Sequence, residues 1–289
     1  MSDDNRFLKA IRSKTKSLES EMSFFDHLEV LRWHLIRAAL AVVVFAGVAF
    51  YYFQSIWQNI IMGPKNGDFF TYRMLCKLGV LLNNNGLCVT SIPGKIINTE
   101  MAGQFSIQIN SSIMLGIIFG FPYLLWEIWR FVKPALKEKE QKATSGFVFF
   151  SSTLFIAGIL FGYYVVSPLS IHFLTNYQIS PDIQNTFTID SYLTSVATLT
   201  LVSGLVFQLP IVVFILATLG ILTPKFMREK RRFAIIIIMV IAMLVTPTPD
   251  PTTMLVVSAP LFGLYELSIS VAARVQKRKL KKEQEFMNS

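Results

Sequence analysis

Few side chains in this sequence can do chemistry, and most of those that can are acceptors suited to cationic groups. Glu29 stands three residues before Arg32 in the segment 20–37, SEMSFFDHLEVLRWHLIR. Its carboxylate either closes a local ion pair worth a few tenths of a kcal/mol or, on a strongly basic face, accepts hydrogen bonds from a cationic peptide. Glu138 and Glu140 alternate with Lys137 and Lys139, a pattern that usually marks a solvated face but also supplies acceptors. Gln208, in Phe207-Gln208-Leu209-Pro210, is the deepest polar group of an apolar stretch. Pro210 lacks an N–H and frees the carbonyl of Val206, so the amide either repairs that kink or bonds a polar group on a transmembrane partner. Glu127 and Glu266 fall near the ends of apolar runs, and Asp250 falls in a proline-rich turn. His27, His34 and His172 show no metal-ligand spacing, and GxSxG, HExxH and P-loop patterns are absent, so the residues predict neither an enzyme nor a bound cofactor or metal.

The elements that position these groups follow from composition. Of 289 residues, 53% are hydrophobic and 16% charged, with 25 Phe and a mean hydropathy of +0.50. A soluble domain averages about 25% charged residues, so the class is integral membrane. Charge-free windows at 38–64, 101–126, 143–181, 191–224, 233–249 and 251–265 predict six transmembrane helices. A hydrocarbon core of ~30 Å needs about 20 residues rising ~1.5 Å each. The first four windows meet this, whereas Phe233 to Val245 offers 13 residues, roughly 20 Å, before Thr246-Pro247-Thr248-Pro249-Asp250-Pro251, and the return from Thr252 to Leu267 is little longer. Short fifth and sixth spans thin the bilayer locally or only dip into it. The runs are too long and unalternating for barrel strands, so the fold class is all-α and polytopic. Segment 20–37 reads as an amphipathic helix lying in the interface before the chain turns into the first span.

Orientation follows the basic residues. Of 27 Lys and Arg, 23 lie in the segment through Arg37, in 129–145, in 218–232 or after 270, so those segments and both termini are predicted to be cytoplasmic, N-in and C-in. Topology and anionic lipid headgroups account for the net charge of +9 without nucleic acid. Residues 1–22 form a cytoplasmic tail without the apolar region of a signal peptide, 23–273 the membrane domain, and 274–289 a basic cytoplasmic tail. Both cysteines, Cys76 and Cys88, fall in the one long outside loop, about 54–104. There a disulfide forms and persists, and closing a ring of this size is worth roughly 3 kcal/mol. The bridge is therefore predicted.

Three blocks together carry a family resemblance. They are His27-Leu28-Glu29-Val30-Leu31-Arg32; Trp129 and Phe131 followed by Pro134-Ala135-Leu136 and Glu140; and Thr246-Pro247 with Asp250, Pro260 and Leu264-Tyr265-Glu266. From about Ser23 to Ala273 the chain resembles the TatC family, multispanning receptor subunits of the twin-arginine protein translocase. The resemblance implies a curved, glove-like six-helix bundle in the bacterial cytoplasmic membrane. Such a protein binds the twin-arginine signal peptides of folded cargo, assembles with TatA- and TatB-type single-span proteins and further copies of itself, and uses the proton-motive force. It implies signal-peptide binding by Glu29, Arg32, Phe131, Leu136 and Glu140, and partner-subunit contact at Gln208, Thr246, Asp250 and Glu266. Two departures stand out. Gln208 replaces the glutamate many members carry in span four. The usual His-Leu-x-Glu-Leu-Arg has its glutamate where this chain has Val30, so Glu29 approaches from about 100° around the helix, or Asp26 substitutes. The alternative is a secondary transporter of ions or small molecules, which would carry ionisable residues at the midplane where this chain has only Gln208.

Overall fold

A computed structural model describes residues 28–81, 95–133, 146–180, 185–218, 220–246 and 251–287. Backbone polar groups in hydrocarbon must be satisfied within their own segment, and the long apolar runs comply as helices. Five are long and apolar enough to cross a membrane. These are α1 (Leu28–Tyr51); α4 (Gly103–Val132); Phe147–Asn176, made of α5 (Phe147–Phe161), a π-turn at Gly162–Val166 and α6 (Ser167–Asn176); Ile189–Thr218, made of α7 (Ile189–Val206) and α8 (Leu209–Thr218); and Thr253–Lys277 within α11 (Pro251–Met287). A sixth apolar helix, α10 (Arg231–Val245), has 15 residues, about 22 Å. Short pieces fill the connections: α2 (Phe53–Ile56), α3 (Phe70–Leu81) and α9 (Pro224–Glu229).

Three features depart from the sequence reading. Nothing between Leu28 and Tyr51 breaks the helix, so residues 28–37 belong to the first span instead of lying in the interface as a separate element. The fold is mostly helical but not strictly all-α. Strand β1 (Lys95–Ile97) pairs in parallel with β2 (Thr186–Thr188), Ile96 opposite Phe187, and the Thr188 hydroxyl then caps α7 by accepting from the Ser191 N–H. Finally, α11 does not stop near Leu267. It runs 37 residues, because the Lys- and Arg-rich stretch that ends the apolar run is itself a good helix former.

Spans approach closely where side chains are missing. A Cβ on Gly158 would stand 2.8 Å from the Cα of Gly204, and one on Gly116 would stand 2.7 Å from the carbonyl oxygen of Val42. These contacts seat α5 against α7 and α4 against α1, in the manner of small-residue membrane interfaces. Phe121 stacks on the fully buried Phe155 at 3.6 Å, joining α4 to α5. A second core of Val166, Leu199, Ile238, Ala242, Val257 and Leu261 gathers the middle spans around α10 and α11.

At the β1–β2 end, phenols hold the connection after α1. Tyr72 of α3, 1% exposed, donates to the carbonyls of Pro64 at 2.9 Å and Pro168 at 3.0 Å. Tyr192 donates to the Ile61 carbonyl at 2.9 Å, and Tyr163 to that of Ile60. The segment predicted as an outside loop is thus a packed cap that contains a helix. Cys76 sits half-buried on α3, and Cys88 lies outside the described residues.

Candidate functional site

The opposite end carries the start of α1, the end of α4 and the start of α5. Its centre is Glu127, 1% exposed and the one carboxylate of α4. The Tyr123 hydroxyl, one turn earlier on α4, donates to one carboxylate oxygen at 2.8 Å. Nδ1 of His34 on α1 contacts the other. A carboxylate this deep is stable only when hydrogen-bonded and paired, and here the two donors come from two different spans. The His34 ring also meets the edge of Phe131, ring centres 6.1 Å apart. One imidazole therefore touches Glu127 and, four residues on, Phe131, fixing α1 against the last turn of α4.

That lock sets the position of the predicted acceptors. Glu29 lies five residues before His34, roughly one and a half turns, and is exposed, as is Arg32. The ion pairs among the described residues are His34–Glu127 and Arg231–Glu266. Glu29 and Arg32 do not close the local pair between themselves, which leaves the Glu29 carboxylate open to solvent among the described residues. On α4, Arg130 lies over the Trp126 ring at 5.5 Å, and Trp129 stacks on Phe147, the first residue of α5, at 4.6 Å. That stack pins together the two ends of the connection bearing Leu136 and Glu140, which themselves lie outside the described residues.

The residues assigned to partner contact are placed as follows. Gln208 stands at the break between α7 and α8, and its amide reaches across to α5. Nε2 donates to the Ser151 carbonyl of α5 at 3.1 Å, and Oε1 accepts from the Ser151 hydroxyl. The two bonds join the third and fourth spans. Thr246 is buried at the end of α10, its hydroxyl donating to the Ala242 carbonyl at 2.9 Å. Glu266 accepts from Arg231 across α10 and α11 at 2.7 Å, while neighbouring Tyr265 donates to the Met227 carbonyl at 2.8 Å. Asp250 lies outside the described residues.

Between the second, third and fourth spans and the segment 59–61 lies an apolar cavity of about 430 Å³. Its walls include Ile60, Leu115, Ile118, Ile159, Tyr163 and Leu193. Among the described residues, no three His, Cys, Asp or Glu are grouped so as to hold a metal ion.

Sequence reasoning missed the His34–Glu127 pair. The available signal was a carboxylate and an imidazole each at the edge of an apolar run, a costly placement unless the two meet.

Long apolar helices joined by sparse polar pairs, with an open acceptor at one end and an apolar cavity between the spans, mark a multi-pass membrane protein. Comparison with known proteins gives the family. The model of TatC, Sec-independent protein translocase protein, matches residues 26–260, and the chain belongs to that family. It is 33% identical over 266 residues to the Sec-independent protein translocase protein TatC of Blattabacterium sp. subsp. Periplaneta americana (strain BPLAN), covering 91% of this chain and all of that one. It is 32% identical to the TatC of Carboxydothermus hydrogenoformans, over 88% of this chain and 94% of the relative. Among solved structures, the crystal structure of the twin arginine translocase receptor TatC in DDM aligns with a TM-score of 0.65 at 28% identity, over 85% of this chain and 99% of that one. A second TatC receptor crystal structure aligns at 0.61 with 27% identity, over 86% and 99%. Membership makes the chain a protein-translocation component and gives the secondary-transporter alternative no support.

Proposed function

We propose that this protein is the receptor subunit of a twin-arginine translocase in a bacterial cytoplasmic membrane. In this reading it has six spans, α10 being the short fifth, and both termini are cytoplasmic. Glu29 and Glu140 accept the paired guanidinium groups of a signal peptide. A carboxylate takes a guanidinium through two parallel charge-assisted bonds, a geometry that a lysine ammonium cannot reproduce. Arg32, Phe131 and Leu136 flank the site, and the apolar part of the signal peptide lies along the cavity lined by the second, third and fourth spans.

The observation that carries this reading is the His34 bridge. It holds an α1 whose Glu29 is exposed and has no ion-pair partner among the described residues against the end of α4 from which the Glu140 connection departs. TatA- and TatB-type subunits, and further copies of the chain, assemble on α10 and its surroundings, where Phe233, Ile236, Ile237 and Met243 present exposed apolar surface. Gln208, Thr246, Asp250 and Glu266 lie at those contacts. With 15 residues, α10 is about 8 Å short of the ~30 Å core, so the bilayer thins there and the barrier to passage driven by the proton-motive force falls.

Export of a folded reporter carrying a twin-arginine signal tests the reading. Removing one charged partner of a hydrogen-bonded pair costs about 2–5 kcal/mol, roughly 30- to several-thousand-fold in affinity. Glu140→Lys therefore abolishes export at normal receptor levels, and Glu29→Ala gives a smaller defect. Export untouched by Glu140→Lys overturns the assignment. A larger defect from Asp26→Ala than from Glu29→Ala moves the first acceptor to Asp26.

A further inference from the structure

A second cavity, of about 400 Å³, opens where the apolar run of α11 gives way to its charged extension. Lys225 and Arg228 of α9 and Lys277 of α11 line it, with Glu229 the one carboxylate in the wall. Neither ion pair among the described residues involves these three cations, and all three are exposed. The base of the cavity is different in kind. Pro224, buried, and Ala273 supply apolar surface, backed by the core of Ala217, Met227, Ile269 and Ala272. Position matters as much as composition. In sequence the uncharged run Leu267–Ala273 of α11 gives way at Arg274 to Lys277, Arg278 and Lys279, so the cavity sits where an apolar helix turns basic, the pattern of a span end at the headgroup region.

Three cations above an apolar base at that depth match one ligand. A phosphodiester is an anion that continues directly into glycerol esters and acyl chains, so it fills both halves of the cavity at once. A soluble acidic peptide or a free phosphate would use the cations and leave the base empty. We propose that this cavity binds the headgroup of an anionic phospholipid and thereby fastens the α8–α10 connection to the membrane-surface end of α11. Basic pockets between transmembrane helices on the cytoplasmic side take such headgroups. The inference rests on the reading of these helix ends as the cytoplasmic surface, and not on signal-peptide recognition.

The test uses the full-length protein, delipidated in detergent and without signal peptide, with bound lipid counted by native mass spectrometry. Phosphatidylglycerol is titrated against phosphatidylcholine for three proteins. These are the unaltered chain, the triple variant Lys225→Gln/Arg228→Gln/Lys277→Gln, and the control Lys9→Gln/Lys14→Gln/Lys16→Gln, which removes the same charge from the amino-terminal segment. The expected result is one phosphatidylglycerol retained in preference to phosphatidylcholine. Its affinity falls on the order of tenfold or more in the cavity variant and less than about twofold in the control. Equal losses in both variants, or equal retention of the two lipids, overturn the site. Displacement of phosphatidylglycerol by equimolar inorganic phosphate overturns the lipid in favour of a free anion. A photoactivatable phosphatidylglycerol on the unaltered chain gives a reading independent of variant folding. Label on residues 224–229 and 273–280 supports the site, and label confined elsewhere refutes it.

Discussion

If His34 is the partner that makes a buried carboxylate tolerable, removing it must cost more than one hydrogen bond, and removing the charge as well must return part of that cost. His34→Ala leaves Glu127 with the Tyr123 hydroxyl as its remaining side-chain donor among the described residues. Breaking a buried pair by removing one partner costs about 3–5 kcal/mol, whereas an interhelical hydrogen bond in a membrane protein averages ~0.6 and reaches ~1.7 kcal/mol. The His34 side chain is 12% exposed and Glu127 2%, so water relieves part of the penalty, and about 2–3 kcal/mol is the expected loss. Glu127→Gln keeps one carbonyl acceptor and turns its NH2, a donor, toward the other partner, so it costs about 0.6–1.7 kcal/mol. In the His34→Ala background, however, Glu127→Gln removes the uncompensated charge, and the double variant should be more stable than His34→Ala alone by about 1 kcal/mol. The assay is reversible unfolding in mixed micelles of dodecyl maltoside and SDS, followed by tryptophan fluorescence, for all four proteins of the cycle. Effects that simply add within ~0.5 kcal/mol would refute the reasoning, because the two side chains would then not be coupled.

Three further outcomes are expected. Gln208→Leu removes both bonds to Ser151 and lowers unfolding stability by about 0.6–2 kcal/mol, whereas Ser151→Ala removes only the hydroxyl bond, costs less, and together the two cost little more than Gln208→Leu alone; crosslinks to single-span subunits falling further than receptor abundance would show an added partner contact at Gln208. Gly158→Leu places carbon where Gly204 and Phe207 already lie 2.8 Å from a Cβ, so folded receptor recovered in detergent should fall severalfold, while Gly47→Leu, with nothing within 4 Å, is recovered normally. The proposed Cys76–Cys88 bridge predicts that neither thiol takes up an alkylating reagent before reduction and both do afterwards, as read by mass mapping; uptake by both without reduction would leave the cap held by packing alone.

The spans were legible because charge is nearly forbidden in hydrocarbon, so uncharged windows and helices nearly coincide. The short α10 was legible for the same reason, its limits set by Arg232 on one side and the proline-rich turn on the other. The long-range polar pairs were not. His34 and Glu127 are 93 residues apart, and Ser151 and Gln208 are 57 apart. A single sequence shows that a polar group needs a partner without showing which residue the packing brings to it. For Gln208 the nearby proline drew attention to a local kink, while the partner was a serine one span away, unremarkable in sequence. The β1–β2 pairing joins two three-residue strands too short for any alternating pattern. The extension of α11 was hidden by its own charge, since Lys and Arg end a span without ending a helix. Of the predicted recognition residues, Glu29, Arg32 and Phe131 could be placed, and Leu136 and Glu140 lie in the connection that the Trp129–Phe147 stack closes at its base.

The central claim is that carboxylates of this chain read paired arginines. Fluorescence anisotropy measures it most directly, using a labelled signal peptide and the purified receptor in detergent or nanodiscs. The account predicts saturable binding of the twin-arginine peptide, weakened by at least about tenfold when both arginines become lysines, because the fork geometry is lost while the charge is kept. It predicts a further loss of roughly 30-fold or more with Glu140→Gln. Equal affinity for the arginine and lysine peptides, or binding indifferent to Glu140, would contradict it.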